Sequence, residues 1–200
     1  MTRVNLDQID VAKERMKKVG LENVTFIQGD IYALNNSYFN SADLVYARFV
    51  LMHLMRPREA LTQIHNLLKS DGVFVSQESI MKTSYSSIKI PELEDYTETL
   101  IALGAHKGVD YNIGDKLKNL CTQSYFKKVD TYFIQQRLKP QQVKFILLKR
   151  IDEWSDKAIE ANLTTLDNIE KWQNAIEEFS KYDSPVYYAI AKQAYTLAWK

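Results

Sequence analysis

Apolar residues at Leu6, Ile9, Ala12, Met16 and Val19 repeat at helical spacing, and Gln8 stands three places after Asn5 in a capping-box arrangement. A first helix is therefore predicted from about Asn5 to Gly20. Val24-Thr25-Phe26-Ile27 then reads as a short buried strand closed by Gln28-Gly29-Asp30, and Leu44-Val45-Tyr46-Ala47 as a second after a polar Asn/Ser loop. Pro57 suits a first helical position, with Leu61, Ile64 and Leu68 along one face, until Ser70-Asp71-Gly72 breaks the pattern before strand Val73-Phe74-Val75. Strands followed by helices three times over predict a parallel α/β sheet with right-handed crossovers.

The rhythm changes beyond Glu78. Helices are predicted at residues 91–104 and 114–122, followed by a β-rich run from Phe126 to Ile134. Two more helical patterns follow Pro140: Val143, Ile146, Leu147, Ile151, Trp154, Ala158, then Leu166, Ile169, Trp172, Ile176, Phe179. They make a helical insertion at about residues 140–182. Tyr195, Leu197 and Trp199 alternate, which favours a strand over a helix for residues 193–199. No repeat, low-complexity tract or Pro/Gly-rich linker divides the 200 residues, which are expected to form one domain.

Composition narrows the function classes. Twenty-six basic and 25 acidic residues leave a net charge of +1, so no long-range attraction to nucleic acid or membrane is implied. Apolar runs fall far short of the ~20 residues that a membrane span needs, and Asp7 and Asp10 interrupt any basic-then-apolar leader, so a cytoplasmic location is expected. A single cysteine, Cys121, allows no internal disulfide and reads as a buried small hydrophobe, and the three histidines have no metal-ligand spacing. No metal site is expected.

The order Gly20-Leu-Glu-Asn-Val-Thr-Phe-Ile-Gln-Gly-Asp30, then Ala42-Asp-Leu-Val-Tyr-Ala-Arg-Phe-Val-Leu-Met-His-Leu54, then Leu68-Lys-Ser-Asp-Gly-Val-Phe-Val75 resembles Rossmann-like, class I S-adenosylmethionine-dependent methyltransferases of the methyltransferase-11/25 type. The likeness covers residues from about Asn5 to Gly72, and more loosely Asp110-Tyr-Asn-Ile-Gly114 and the last strand. It implies S-adenosylmethionine as cofactor and a small-molecule methyl acceptor.

Each matching residue has a physical rationale and a plainer alternative. A carboxylate at the C-terminal end of a sheet strand can accept hydrogens from an exocyclic amine, which makes Asp30 the adenine candidate with the Ile31 amide facing adenine N1. Alternatively Asp30 closes an Asx-turn. Ala47, Arg48 and Phe49 match the segment beside the methionine end of the cofactor, where Arg48 could grip a carboxylate with both guanidinium nitrogens; otherwise Arg48 pairs with Asp43 or Glu59. His53 and Glu78 are substrate-pocket candidates, Glu78 as a base or an anchor for a hydroxyl or amine. Their alternatives are a core-edge histidine and a solvated loop acid. Tyr85, Tyr96 and Tyr111 are candidates for an aromatic lid.

One departure separates the chain from the family pattern. The initial strand, its glycine-rich turn and a second strand ending in a ribose-binding acid are missing from the match, and Arg3 falls near the ribose acid. The expected fold is thus an α/β Rossmann-like methyltransferase sheet, N-terminally truncated, with a helical insertion before the last strand. The family's first strand lies mid-sheet, so its absence would expose an edge to self-association or to a complementing chain. Three readings stand: an incomplete methyltransferase domain, inactive as given; a non-catalytic binding or scaffold module; and an oligomerisation surface built on Trp154, Trp172 and Phe179, whose plainer alternative is packing within the domain core.

Overall fold

The computed structural model describes residues 6–200 of the chain. Helix α1 spans Leu6–Lys18, β1 Ala42–Arg48, α2 Pro57–Leu67 and β2 Leu68–Ile80. They are followed by β3 (Tyr85–Ser86), α3 (Pro91–His106), α4 (Leu117–Gln123), β4 (Lys128–Ile134) and β5 (Arg137–Leu138). The chain ends with α5 (Pro140–Glu160), α6 (Leu166–Phe179), β6 (Tyr188–Ala189) and β7 (Lys192–Trp199). The main sheet has the order β1-β2-β7-β4, and β3-β6-β5 form a small second sheet. Strands β1 and β2 are parallel, with Tyr46 opposite Val75, while β7 runs antiparallel to both β2 and β4. The parallel pair, the strands near residues 126–134 and 193–199 and the helical insertion all match the sequence reading.

Residues 24–27 do not. They form no strand, and Ile27 is 60% exposed. An apolar run of four residues becomes a strand only beside another strand that takes up its N–H and C=O groups. Among the described residues β1 has β2 on one side and no strand on the other, so nothing receives it. Asn5, the proposed capping partner of Gln8, and the basic Arg3 lie outside the described residues.

The break expected at Ser70-Asp71-Gly72 is a bulge within β2. The β1 partner jumps from Leu68 to Val73 while β1 itself advances only from Ala42 to Leu44. Gly72 is needed there, because a Cβ would stand 3.0 Å from both the Ala42 carbonyl oxygen and the Leu68 side chain.

Two cores result. On one face of the main sheet, Leu61 and Ile64 of α2 and Leu117 and Cys121 of α4 bury Phe74 and Ala198. The opposite face is less covered: Leu44 and Tyr46 are each 56% exposed, in register with half-buried Val73 and Val75. The second core joins α3, α5 and α6 around Tyr96, Trp154, Trp172, Ile176 and Phe179. Trp172 donates its indole N–H to Asp95 at 2.8 Å, and its ring lies edge-on to Tyr96. Trp154, Trp172 and Phe179 are all buried within the chain, which corrects their reading as an oligomerisation surface: the apolar stripes of three helices close on one another. No described helix is long and apolar enough to cross a membrane.

Trp172→Ala should remove about 3–5 kcal/mol of stability, read from urea unfolding followed by circular dichroism. A loss below about 1 kcal/mol would mean that the insertion contributes little to the cooperative core.

Candidate functional site

The site begins where β1 ends. Phe49 adopts a left-handed conformation (φ 51°), rare for a bulky residue, while its N–H still extends the ladder to Gln77 O at 2.9 Å. The chain then tightens into a 3-10 turn at Leu51–His53. Three successive amides of this turn would be unpaired, and Glu78 takes all three: Val50 N at 3.1 Å and Leu51 N at 2.8 Å on Oε1, and Met52 N at 3.3 Å on Oε2. The Glu78 side chain is fully buried, so burial pushes its carboxyl above the ordinary value, against the three amide bonds that favour the charge. Glu78 is neither a solvated loop acid nor a wall of the adjacent cavity. It is a buried carboxylate that shapes the turn.

Glu78→Ala should strip three buried amides of their acceptor and destabilise the chain by about 3 kcal/mol or more in chemical denaturation, with Glu78→Gln milder. The sign of its pH dependence follows from the raised carboxyl. Between 4.5 and the raised value the folded state holds a proton that the unfolded state has lost, so stability falls as pH rises through that window. Glu78→Gln should flatten that slope.

Beyond the turn lies a cavity of about 310 Å³, at the C-terminal ends of the parallel strands, where open α/β sheets place their ligands. Phe49, Met52 and His53 form one wall, Ser79 and Gln193 come from β2 and β7, and Tyr111 precedes α4. Helix α5 closes the opposite side with Arg150, Glu153 and Trp154. The rings of His53 and Tyr111 meet edge to face, with centroids 5.6 Å apart.

Burial, and secondarily the charge of Lys107, hold the His53 imidazole below its ordinary value of 6.5. The ring is therefore predominantly neutral at pH 7 and able to accept a proton. A folded state that binds fewer protons than the unfolded one keeps this contribution to stability above 6.5 and loses it as pH falls through the lowered value. An NMR titration should place the His53 midpoint below 6.5, and Lys107→Gln should move it upward. A midpoint at or above 6.5 would contradict this.

The other candidates divide between the surface and the packed layer beneath. Asp30 is exposed and closes an Asx-turn, accepting the Tyr32 N–H on Oδ1 at 2.9 Å, while its carbonyl accepts from Ala33 N at 3.0 Å. Ile31 and Ala47 pack with Phe49 in the core beneath β1. Arg48 is exposed, with its guanidinium carbon 5.2 Å from the Phe49 ring centre. Neither suggested partner is available to it, since Asp43 pairs with Lys69 and Glu59 with Arg56, each at 2.7 Å.

The fold thus brings Phe49 and His53 to the cavity, with Ile31 and Ala47 behind them, and leaves Asp30, Arg48 and Glu78 outside its walls. Of the three tyrosines, only Tyr111 lines it; Tyr85 pairs with Tyr187 and Tyr96 lies in the helical core. Cys121 is buried and its thiol pushed up to about 12. Sequence reasoning missed Arg150, Glu153 and Trp154. Their i, i+3, i+4 spacing put them on one helix face, but only the docking of α5 reveals what that face covers.

A mixed sheet with a parallel pair, a cavity at its C-terminal ends and helices closing over it define a Rossmann-like α/β fold of the class I methyltransferase type. The profile of a family described as "Methyltransferase domain" matches residues 4–176, and the chain belongs to that family. A search of curated proteins finds no match. Among solved structures, the chain is similar to the YcgJ protein of Bacillus subtilis, with a TM-score of 0.60 and 16% identity, covering 98% of this chain and 79% of that one. A protein of Bacillus halodurans assigned to the methyltransferases gives a TM-score of 0.59 at 14% identity, over 98% of this chain and 80% of that one. Phosphoethanolamine N-methyltransferase 2 of Haemonchus contortus, solved with phosphomonomethylethanolamine and S-adenosylhomocysteine, gives 0.50 at 15% identity, over 95% of this chain and 40% of that one. At these identities the structural likenesses establish the fold. Methyltransferases of this class take their methyl group from S-adenosylmethionine.

Proposed function

We propose that the chain is an S-adenosylmethionine-dependent methyltransferase domain whose acceptor is a small molecule held in the cavity between the β1 turn and α5. The observation that carries this reading is the position of that cavity, at the C-terminal ends of β1 and β2, with a neutral histidine on its wall. When bound, the cofactor supplies an electrophilic methyl group. The chain's own residues do the rest: Phe49, Tyr111 and Trp154 exclude water and orient the acceptor, and His53 takes the proton that the acceptor's nucleophilic atom gives up.

The residues fit the cofactor in part. The second carboxylate oxygen of Asp30 is engaged by no described residue and is exposed, beside Ile31, which suits the adenine edge. Arg48 lacks a carboxylate partner among the described residues and suits the methionine end. No two of the six glycines stand closer than Gly104 and Gly108, so no glycine-rich turn is available within these 200 residues to cradle the ribose and sulfonium side. We therefore assign these residues the acceptor pocket and the adenine flank. The remaining cradle comes from a further segment or complementing chain against the open side of β1. The scaffold reading is favoured by the same missing turn.

Residues 1–200 alone should show at most weak binding of labelled S-adenosylmethionine in equilibrium dialysis, and no methyl transfer. Micromolar binding by the isolated monomer would overturn the divided-site reading and favour an active enzyme. In any form that does bind, Asp30→Ala should weaken affinity by about tenfold or more, as expected for a hydrogen bond to a charged partner; unchanged affinity would remove Asp30 from the adenine site.

A further inference from the structure

The cavity holds a cation without a direct ion-pair partner. Arg150 projects from α5 into it, and among the described residues no carboxylate lies within 4 Å of the guanidinium; the ion pairs on this part of the molecule involve other lysines, such as Lys144 with Glu177. Near His53, burial and then the charge of Lys157 hold the Lys107 ammonium below its ordinary value. Glu153, three residues after Arg150, is the one acid among the lining residues. In the helical core behind this wall, the Tyr96 hydroxyl and the Trp154 indole N–H are buried without a well-formed hydrogen bond; burial pushes the Tyr96 phenol up to about 12, and the Arg150 charge opposes it. The remaining walls are aromatic or aliphatic: Phe49, Met52, Leu100, Tyr111, Trp154 and Ile190.

From this arrangement the geometry points to an anionic acceptor, a flat apolar molecule bearing a carboxylate, whose acid group Arg150 binds with both nitrogens while its body lies against Trp154 and Tyr111. This deepens the proposed function and rests on the cavity being the acceptor pocket. A volume of about 310 Å³ lies at the small end of ligand pockets, which suits a single-ring acid. Arginine suits this task because its planar fork meets a carboxylate with two parallel hydrogen bonds and also stacks on aromatic faces. The aromatic and aliphatic walls receive the flat body of the ligand, while the exposed guanidinium pairs with its acid group. Glu153, one turn along α5, lines the same space and repels the acid from its side of Arg150.

The test uses three probes of one shape and no methyl donor: 4-hydroxybenzoate, its uncharged amide 4-hydroxybenzamide, and the cation 4-hydroxybenzylamine, titrated by calorimetry and by tryptophan fluorescence. The acid should bind about tenfold or more tighter than the amide, and the amine should bind weakest. Arg150→Gln should erase the preference for the acid, Arg150→Lys should keep part of it, and Glu153→Gln should strengthen acid binding. Arg150 is exposed enough that its variants should keep the wild-type melting temperature, which verifies folding. Equal binding of acid and amide, tighter binding of the amine, no binding of the acid at millimolar concentration, or an acid preference that survives Arg150→Gln would each overturn the proposal. Methylation of an uncharged acceptor by an assembled enzyme would overturn this inference alone. Acid binding without methyl transfer in any assembled form would count against the methyltransferase reading alone.

Discussion

Three backbone amides share one buried carboxylate at the heart of this molecule. Glu78 has no exposed surface, yet stays fully engaged because Val50, Leu51 and Met52 all donate to it. A lone buried carboxylate would be expensive in free energy; three hydrogen bonds from a single turn make it tolerable and make the turn rigid. That turn permits the left-handed Phe49, and Phe49 in turn sets the direction in which His53 leaves the sheet. The position of the cavity is therefore a consequence of one side chain on β2 reaching back to the end of β1.

The second constraint is aromatic. Tyr96, Trp154 and Trp172 form a closed cluster with ring centroids 5.5 to 6.0 Å apart, tying α3, α5 and α6 together. Because Trp154 belongs both to that cluster and to the cavity wall, the helical insertion is positioned over the strand ends by its own core. Arg150 and Glu153 ride on the same helix, so their placement beside the pocket depends on packing many residues away from it.

The main sheet is unevenly covered. Its inner face is sealed by α2 and α4, while Leu44 and Tyr46 on the outer face stay open and, among the described residues, β1 pairs with β2 alone. Parallel strands are ordinarily buried on both faces, which makes this the least satisfied surface of the fold. The same physical fact accounts for the absence of a strand at residues 24–27: an apolar run without a neighbouring strand has nothing to bond to.

The strand-and-helix periodicities around Val45, Leu61, Phe74, Val143, Ile176 and Leu197 determined by themselves the element types, the helical insertion and the strand character of the last segment, because side-chain period reports which face each element buries. Local turn chemistry was equally legible at Asp30 and at Pro57. Residues 24–27 misled because a strand is a property of a pair, and a single segment carries no information about whether its partner is present. The site divided along the same line. Phe49 and His53 lie within five residues of a strand end and could be placed from the sequence. The capping role of Glu78 spans at least 26 residues, from Met52 to Glu78, and the roof of Arg150, Glu153 and Trp154 comes from an element about a hundred residues beyond the turn. Only tertiary packing decided those, because hydrogen bonds and charges between distant segments leave no periodic trace in the chain.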